Sequence, residues 1–507
     1  MGRASTPVNS RPTLRNASRF PIGHRACQHI IDTTTAIDTT TAIDTTTEED
    51  FTMTFPDSFI WGVATSSYQI EGAAETDGRG ASIWDTFCAV PGAIVDRSSG
   101  LVACDHYNRL EVDVALMKSM GVTGYRFSVA WSRLFPTGDE RREPRGFAFY
   151  DRLIDTLLEA GIEPALTLYH WDLPQPLQNA GGWPDRGILR PFADYAYAVG
   201  EHFGDRVTHF SPINEPWVVS WLGYGIGHHA PGISDRRQAI AAAHHTVVAH
   251  NLATAGLKAA APQCQVGPVL NQSLLMVDDI SDPFQMQTAD LLDAVQNRFW
   301  MDGIFRGEYP ETVFQAFGSD LTSVMRDGDL STIPVDWLGI NYYNNARVGH
   351  RRLPGVDEPF DYLQTGATGT PVGPVTDMGW SINPQGLGDL LVRWHREYGS
   401  LIPRMRITEN GAAYSDEPGP EGTVNDQRRI DYLRAHLLEV ERAIASGAPV
   451  DGYYQWSLMD NFEWAFGYEK RFGIVHVDFD TQVRTVKDSG HWYSQVARSN
   501  GASLTTE

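Results

Sequence analysis

VDVALMKSMGVTGYRFSVA, residues 112–130, contains the fold in miniature. Val112, Leu116 and Met120 recur at helical spacing, Gly121 follows, and Gly124–Ala130 then reads as a buried strand. A helix closed by glycine, a short loop and an apolar strand make the αβ unit of a parallel sheet. The unit returns in YDRLIDTLLEAGIEPALTLYHW, with Leu153, Leu157, Gly161 and the run Ala165–Tyr169. It returns again in DYLRAHLLEVERAIASGAPVDGYYQWS, with Leu433, Leu437, Val440, Ile444 and Gly447. Eight strands are predicted in all: Ser58–Ala64, Gly124–Ala130, Pro164–His170, His209–Asn214, Gln265–Leu270, Val335–Tyr342, Arg404–Glu409 and Asp451–Trp456. Helical stretches lie between most of them, so the α/β class expected is a single (β/α)8 barrel, or TIM barrel, with long βα loops. A doubly wound open sheet is the alternative. It is disfavoured because no GxGxxG opens a helix after the first strand, and GYGIG at 223–227 is a lone glycine-rich loop.

The flanks differ from this body. Residues 31–47 read IDTTTAIDTTTAIDTTT, a repeat with little to bury, and are expected to be disordered. Residues 1–30 hold five Arg and no acid, a composition open to an organelle transit sequence. A nonstructural leader or an upstream start is preferred, because TFPDSFIWG after Met53 is where folding chemistry begins. The expected division is a tail or leader over 1–52, one domain over 53–500, and a C-terminal tail over 501–507.

Composition removes several function classes. With 40 Lys+Arg against 63 Asp+Glu the net charge is -23, which disfavours nucleic acid and anionic membrane as partners. No apolar run approaches the roughly 20 residues that span a bilayer. Cys27, Cys88, Cys104 and Cys264 form no CxxC pair. They are read as free, mostly buried thiols of a cytoplasmic protein, with a Cys88–Cys104 bridge disfavoured. The 14 Trp and 19 Tyr exceed what packing needs, and such rings commonly stack on sugars.

In a parallel barrel every strand opens on the same face at its carboxyl end, and active sites are built there. Gln69 follows the first strand and the second carries Arg126. The third ends in His170 and Trp171, and the fourth in Asn214, Glu215 and Trp217. The sixth ends in Asn341 and Tyr343, the seventh in Glu409, and the eighth in Trp456, Glu463 and Trp464. Each alone has a structural explanation: a satisfied histidine, an arginine neutralising an acid, packed rings. Together they would place acids, a cation and amides at one mouth, where desolvating them without function is costly. Two glutamates on facing strands are what glycoside hydrolysis needs. One carboxylate attacks the anomeric carbon while the other protonates the leaving oxygen. A separation of about 5 Å gives retention and a wider one inversion.

The motifs SFIWGVATSSYQIEGA, YRFSVAWSR, LYHWDLPQ, INEPW, GYGIGHHAPG, LGINYY, ITENGAA and QWSLMDNFEWAFGYEKRFGIVHVDF, in this order, resemble glycoside hydrolase family 1, the β-glucosidase family. The resemblance covers about 53–498. It implies a retaining β-glucosidase of small β-glycosides, including cellobiose, with no metal and no cofactor. Glu409 in TENG matches the nucleophile and Glu215 in NEP the acid/base. Arg126 and Tyr343 match contacts to the nucleophile, and Tyr343 is also counted with the substrate-binding set. Gln69, His170, Asn214, Trp456, Glu463 and Trp464 match the glycone-binding set, and Trp217, His229 and Trp380 the aglycone side. Arg126 and Tyr343 are expected to hold Glu409 ionised, and that charge to keep Glu215 protonated. Glu463, an acid where a phosphate would be repelled, implies unphosphorylated substrates. Galactosides, fucosides and transglycosylation remain open within the family, as does the oligomeric state. A sugar-binding protein without catalysis is the first rival, disfavoured by the intact motifs. A metal-dependent barrel enzyme is the second. No HExxH is present, and His228, His229, His244, His245 and His250 are read as surface or packing residues.

Overall fold

The computed structural model describes residues 31–32, 55–348 and 373–504. The strands β1 (Ile60–Ala64), β2 (Gly124–Ser128), β3 (Glu163–Tyr169) and β4 (His209–Ile213) pair in parallel, each with the next. β5 is interrupted, running as Gln265–Val266 and Val269–Asn271. β6 (Leu338–Asn341), β7 (Met405–Asn410) and β8 (Val450–Trp456) complete the ring, and β8 pairs with β1. The first piece of β5 pairs with β4, the second with β6, and a parallel bridge from Asn214 to Val269 closes the circle. The expected (β/α)8 barrel is therefore the fold. Strand ends agree with the sequence reading to within a few residues, apart from the fifth strand, where Gly267–Pro268 breaks the ladder. Pro268 has no N–H to give. A Cβ on Gly267 would come within 2.3 Å of the Trp337 ring, so only glycine lets that ring close the gap.

Eight helices flank the ring: α1 (His106–Met120), α2 (Pro144–Ala160), α3 (Leu189–Phe203), α4 (Arg236–Ala260), α5 (Pro283–Asp293), α6 (Pro384–Tyr398), α7 (Gln427–Ala445) and α8 (Asp488–Arg498). α5 runs on through a π-helical turn, Ala294–Arg298, into Phe299–Phe305. Glycines in the left-handed region end α1 and α2, Gly121 at φ 74° and Gly161 at φ 76°. Those are the glycines that mark the repeating unit in the sequence. The strands are buried on both faces, as parallel strands under helices must be.

Two sequence expectations change. The buried face of α1 is Leu110, Val114, Met117 and Met120, whereas Val112 is 58% exposed and Leu116 only half-buried. The periodicity identified a helix but chose a stripe rotated from the one that packs. Ala502–Leu504 form a further turn with Leu504 buried, so packed structure continues past residue 500. The repeat at 31–47 lies outside the described residues except for Ile31–Asp32, which pair in parallel with Met276 and Val277. Cys88, Cys104 and Cys264 are free, and Cys27 lies outside the described residues. Among the described residues no helix is long and apolar enough to cross a membrane.

The corrected face of α1 is testable. Met117→Ala should cost about 2–5 kcal/mol by guanidinium unfolding. Val112→Ala should stay within about 0.5 kcal/mol of the parent. Equal costs would show that the stripe read from the sequence is the one that packs.

Candidate active site

The carboxyl ends of the strands surround a cavity of about 430 Å³. Its wall includes Glu215 from the end of β4, Glu409 from β7 and Glu463 from the loop after β8. All three are buried or nearly so, and the chain supplies their partners unequally. Glu409 Oε1 accepts from Arg126 Nη1 at 2.6 Å and Oε2 from the Tyr343 hydroxyl at 2.7 Å. Glu215 Oε1 accepts from Asn341 Nδ2 at 2.6 Å. Among the described residues the Glu463 carboxyl accepts from the Gln69 amide alone, at 3.4 Å.

These partners set the acidities. Burial lifts Glu409 above the usual carboxylate range, while Arg126 and the Tyr343 hydroxyl act against that rise. Glu215 is lifted well above its usual range, by burial first and by the Glu409 charge second, with a smaller pull downward from Asn341. Glu215 is thus the more basic of the pair, the direction the sequence reading expected, although Glu409 is itself raised rather than held low. The main cause differs, because desolvation outweighs the neighbouring charge. Glu463 is pushed up to about 8 by burial and by Glu409. It was expected to meet sugar hydroxyls as a charged acceptor. Below that pH it carries a proton, and can donate as well as accept.

A buried amide network fixes the geometry. Asn214 Oδ1 accepts from Arg126 Nη2 at 2.6 Å and from Asn341 Nδ2 at 3.1 Å. With its oxygen so occupied, the Asn214 amide nitrogen must face His170 Nε2, 3.0 Å away. That ring nitrogen is then the acceptor. Burial keeps the imidazole neutral, so its proton sits on Nδ1, which has no partner among the described residues. His170 is therefore a hydrogen-bond donor on the cavity wall. Thr408 Oγ1 donates to Asn341 Oδ1 at 2.7 Å, orienting that amide toward Glu215. Gln69 Nε2 donates to Asn461 Oδ1 and to Phe462 O, stitching the loop after β8 to β1. Asp460 anchors the same loop from below through Lys487 at 2.9 Å and Arg471 at 3.0 Å.

The backbone is bent at the mouth. Glu215, Trp171 and Trp464 take φ values of 47°, 75° and 50°, a region side-chain-bearing residues rarely enter. Such conformations cost about 1–3 kcal/mol each and persist where the surroundings enforce them. Trp464 packs between Trp84, at 4.6 Å between centroids, and Trp171, at 4.7 Å. Trp456 lies nearly parallel to the His170 ring at 5.9 Å. Trp217, His229 and Trp380 also line the cavity, His229 beside Trp171 and Trp380 beside Tyr343. Arg126, Asn214 and Gln69 are bonded to lining residues and do not themselves line it.

Sequence reasoning gave no role to several residues that the fold brings here. Asn341 was noted at its strand end, yet its bond to Glu215 is visible only in three dimensions. Trp171 lines the cavity and donates from Nε1 to Asn214 O at 2.9 Å. Asn271, Gln272 and Ser273, after β5, also line it. The signal was a polar NQS following an apolar run. His228, read from the sequence as a surface or packing residue, lines the cavity, whereas His244 contacts Tyr309 and Asp329, and His245 contacts Trp183 O. No group of three or more metal-ligating side chains occurs among the described residues.

A parallel barrel with two buried, unequally supported glutamates at the ends of β4 and β7 is the architecture of an O-glycosidase. The model of glycosyl hydrolase family 1 matches residues 51–502, and the chain belongs to that family. It is 42% identical to the beta-glucosidase A of Acetivibrio thermocellus over 89% of this chain and 99% of that protein. It is also 42% identical to a bifunctional beta-D-glucosidase/beta-D-fucosidase of Bifidobacterium breve, over 89% of this chain and 100% of that protein. The structure of the beta-glucosidase from Thermotoga maritima in complex with glucoimidazole superposes with a TM-score of 0.82 at 41% identity, covering 89% of this chain and 100% of that one.

The acidities give a signed prediction. With Glu409 acting as the anion and Glu215 as the acid, activity should fall as pH drops through the first pKa and as pH rises through the second. Arg126→Met removes the cation that holds Glu409 down, so the acid limb of kcat/KM should move to higher pH. The maximum should fall at least about 100-fold. An unshifted acid limb would show that Arg126 does not support the charge on Glu409.

Proposed function

We propose that this protein is a retaining β-glucosidase in which Glu409 is the nucleophile and Glu215 the acid/base. It releases terminal non-reducing β-D-glucosyl residues from β-glucosides and short oligosaccharides such as cellobiose. The observation that carries the assignment of roles is the unequal support of the two acids. Glu409 has a guanidinium and a phenol, which favour the anion. Glu215 has only an amide, and keeps its proton.

The steps follow from that inequality. Glu409 attacks the anomeric carbon as Glu215 gives its proton to the departing oxygen. The ester that forms carries no charge, so the electrostatic pressure on Glu215 falls and its pKa drops. Glu215 then takes a proton from water, which attacks the same carbon and frees Glu409. His170, Glu463, Gln69, Asn214, Tyr343, Trp456 and Trp464 hold the glycone, directly or by positioning one another. Trp217, His229 and Trp380 border the leaving group.

Unphosphorylated sugars fit Glu463, whose carboxyl, protonated below about 8, can both donate to and accept from a sugar hydroxyl. Lys470, the nearby cation in sequence, already gives a hydrogen bond to Asp377 O at 3.1 Å. β-Fucosides are a second glycone class, favoured by the bifunctional relative from Bifidobacterium breve. The catalytic unit is one domain from about residue 53 through Leu504. The three free cysteines among the described residues suit the cytoplasm.

Hydrolysis of 4-nitrophenyl β-D-glucoside followed by NMR is the direct test. The first sugar seen should be the β-anomer, and Glu409→Gly should lower kcat by more than about 1000-fold. An α-anomer as first product, or unchanged turnover in the variant, would reject the mechanism. Faster cleavage of the 6-phosphoglucoside would reject the substrate class.

A further inference from the structure

A second cavity lies inside the barrel, on the amino-end side of the Arg126–Glu409 pair. It measures only about 10 Å³, and its wall is the inner face of the ring: Arg126 of β2, Thr167 of β3, Arg406 of β7, Tyr454 of β8 and Trp337 just before β6. Thr408, which directly precedes Glu409, lines it too. Apolar side chains usually fill the inside of such a barrel. Here four lining residues carry a buried polar atom with no hydrogen-bond partner among the described residues: Arg126 Nε, Thr167 Oγ1, Tyr454 Oη and Trp337 Nε1. Those residues are 1% to 3% exposed. One such atom is costly to leave unpaired, and packing gives no reason to gather four around one small space. The fold makes room for this arrangement. A Cβ on Gly62 of β1 would come within 2.3 Å of the Tyr454 ring, and one on Gly124 of β2 within 3.2 Å. Two strands thus lack side chains where the phenol turns inward.

Charge and size define what the cavity accepts. Arg126 is matched by Glu409 at 2.6 Å, and Arg406 by Asp451 at 2.8 Å. Glu163 is paired with His209, which also lines the space. An anion would find its cations already matched and two further carboxylates, Glu163 and Asp451, close by. A cation would face two guanidinium groups. A neutral guest fits, and the volume holds about one water. Arg126 Nε–H and Trp337 Nε1–H can only donate, whereas the hydroxyls of Thr167 and Tyr454 can also accept. Two donors and two acceptors complement the two lone pairs and two protons of a water molecule.

We propose that this cavity binds one ordered water, and that Thr167 and Tyr454 act through it as positioning residues for Arg126. Glu409 and Asn214 already fix Nη1 and Nη2 of the guanidinium, each at 2.6 Å. The water fixes Nε, so all three nitrogens are held and the group cannot turn away from Glu409. Without the two hydroxyls the water loses its acceptors, and the guanidinium loses its third anchor. The hold on the Glu409 anion then weakens and its pKa rises. The inference deepens the assignment of Glu409 as nucleophile and rests on it.

Crystallography tests the site without reference to activity. The parent enzyme should show one solvent peak within hydrogen-bond distance of Arg126 Nε, Thr167 Oγ1 and Tyr454 Oη. Crystals soaked in bromide should show no anomalous peak there. Bromide in the cavity, or no solvent density, would overturn the water site. Kinetics test the positioning, with 4-nitrophenyl β-D-glucoside as substrate. In the double variant Thr167→Val, Tyr454→Phe the acid limb of kcat/KM should move to higher pH by at least about 0.3 unit, though less than in Arg126→Met. Its kcat, per active site counted by the burst from an activated 2-fluoroglucoside, should fall about tenfold with KM little changed. The position of the limb does not depend on how much of a variant folds. Thr167→Ser retains the hydroxyl, and its limb should coincide with the parent's. An unshifted limb in the double variant, or an equal shift in Thr167→Ser, would overturn the positioning role. Unchanged turnover in Glu409→Gly would instead remove the reading beneath it and leave the water site standing.

Discussion

The site depends on one ion pair in a setting that discourages charge. Arg126 meets Glu409 at 2.6 Å with both side chains almost fully buried. Three carboxyl groups face the same cavity, and Arg126 is the cation bonded within that group among the described residues. One guanidinium can sustain one carboxylate at little cost, so the other two are driven toward their neutral forms. On the proposed roles, the division of labour between nucleophile and proton donor follows from that imbalance. It does not require the acids to differ in kind, since both are glutamates.

Charge alone would not place these groups, and the amide network supplies the geometry. Asn214 binds Arg126 through its oxygen and faces His170 through its nitrogen, while Asn341 binds both Asn214 and Glu215. A change at any one member leaves a buried polar atom unpaired at the next, which is why such networks hold side chains in a single orientation. The left-handed backbone at Glu215, Trp171 and Trp464 is tolerated for the same reason. Neighbouring bonds and stacked rings over-determine these positions, and the barrel beneath provides the stiffness.

The barrel also explains why the two ends of the cavity differ. Its ring puts the loops of β8 and β1 on one side and that of β5 on the other, with Glu215 and Glu409 between. The β8 loop is anchored by buried ions, Asp460 with Lys487 and Arg471. The β5 loop is anchored by amides, Asn297 with Ser273. One fold thereby anchors the two sides of the cavity by different chemistry.

The sequence by itself determined the eight-unit barrel, because glycine-stopped helices alternating with apolar runs admit few other packings. It also located Glu215, Glu409 and the residues at seven strand ends, since polar groups that interrupt buried runs are conspicuous. It did not reveal which stripe of α1 packs, because Val112 and Val114 are equally apolar and only the neighbouring surface chooses between them. It passed over the fifth strand end, where Gly267–Pro268 breaks the run and Gln272 resembles any loop glutamine. Only the tertiary structure decided that Glu463 is neutral below about 8, that Asn341 serves Glu215, and that the buried Gln272 amide has no partner among the described residues. These are properties of desolvation and distance between residues far apart in the chain, and a linear pattern carries neither.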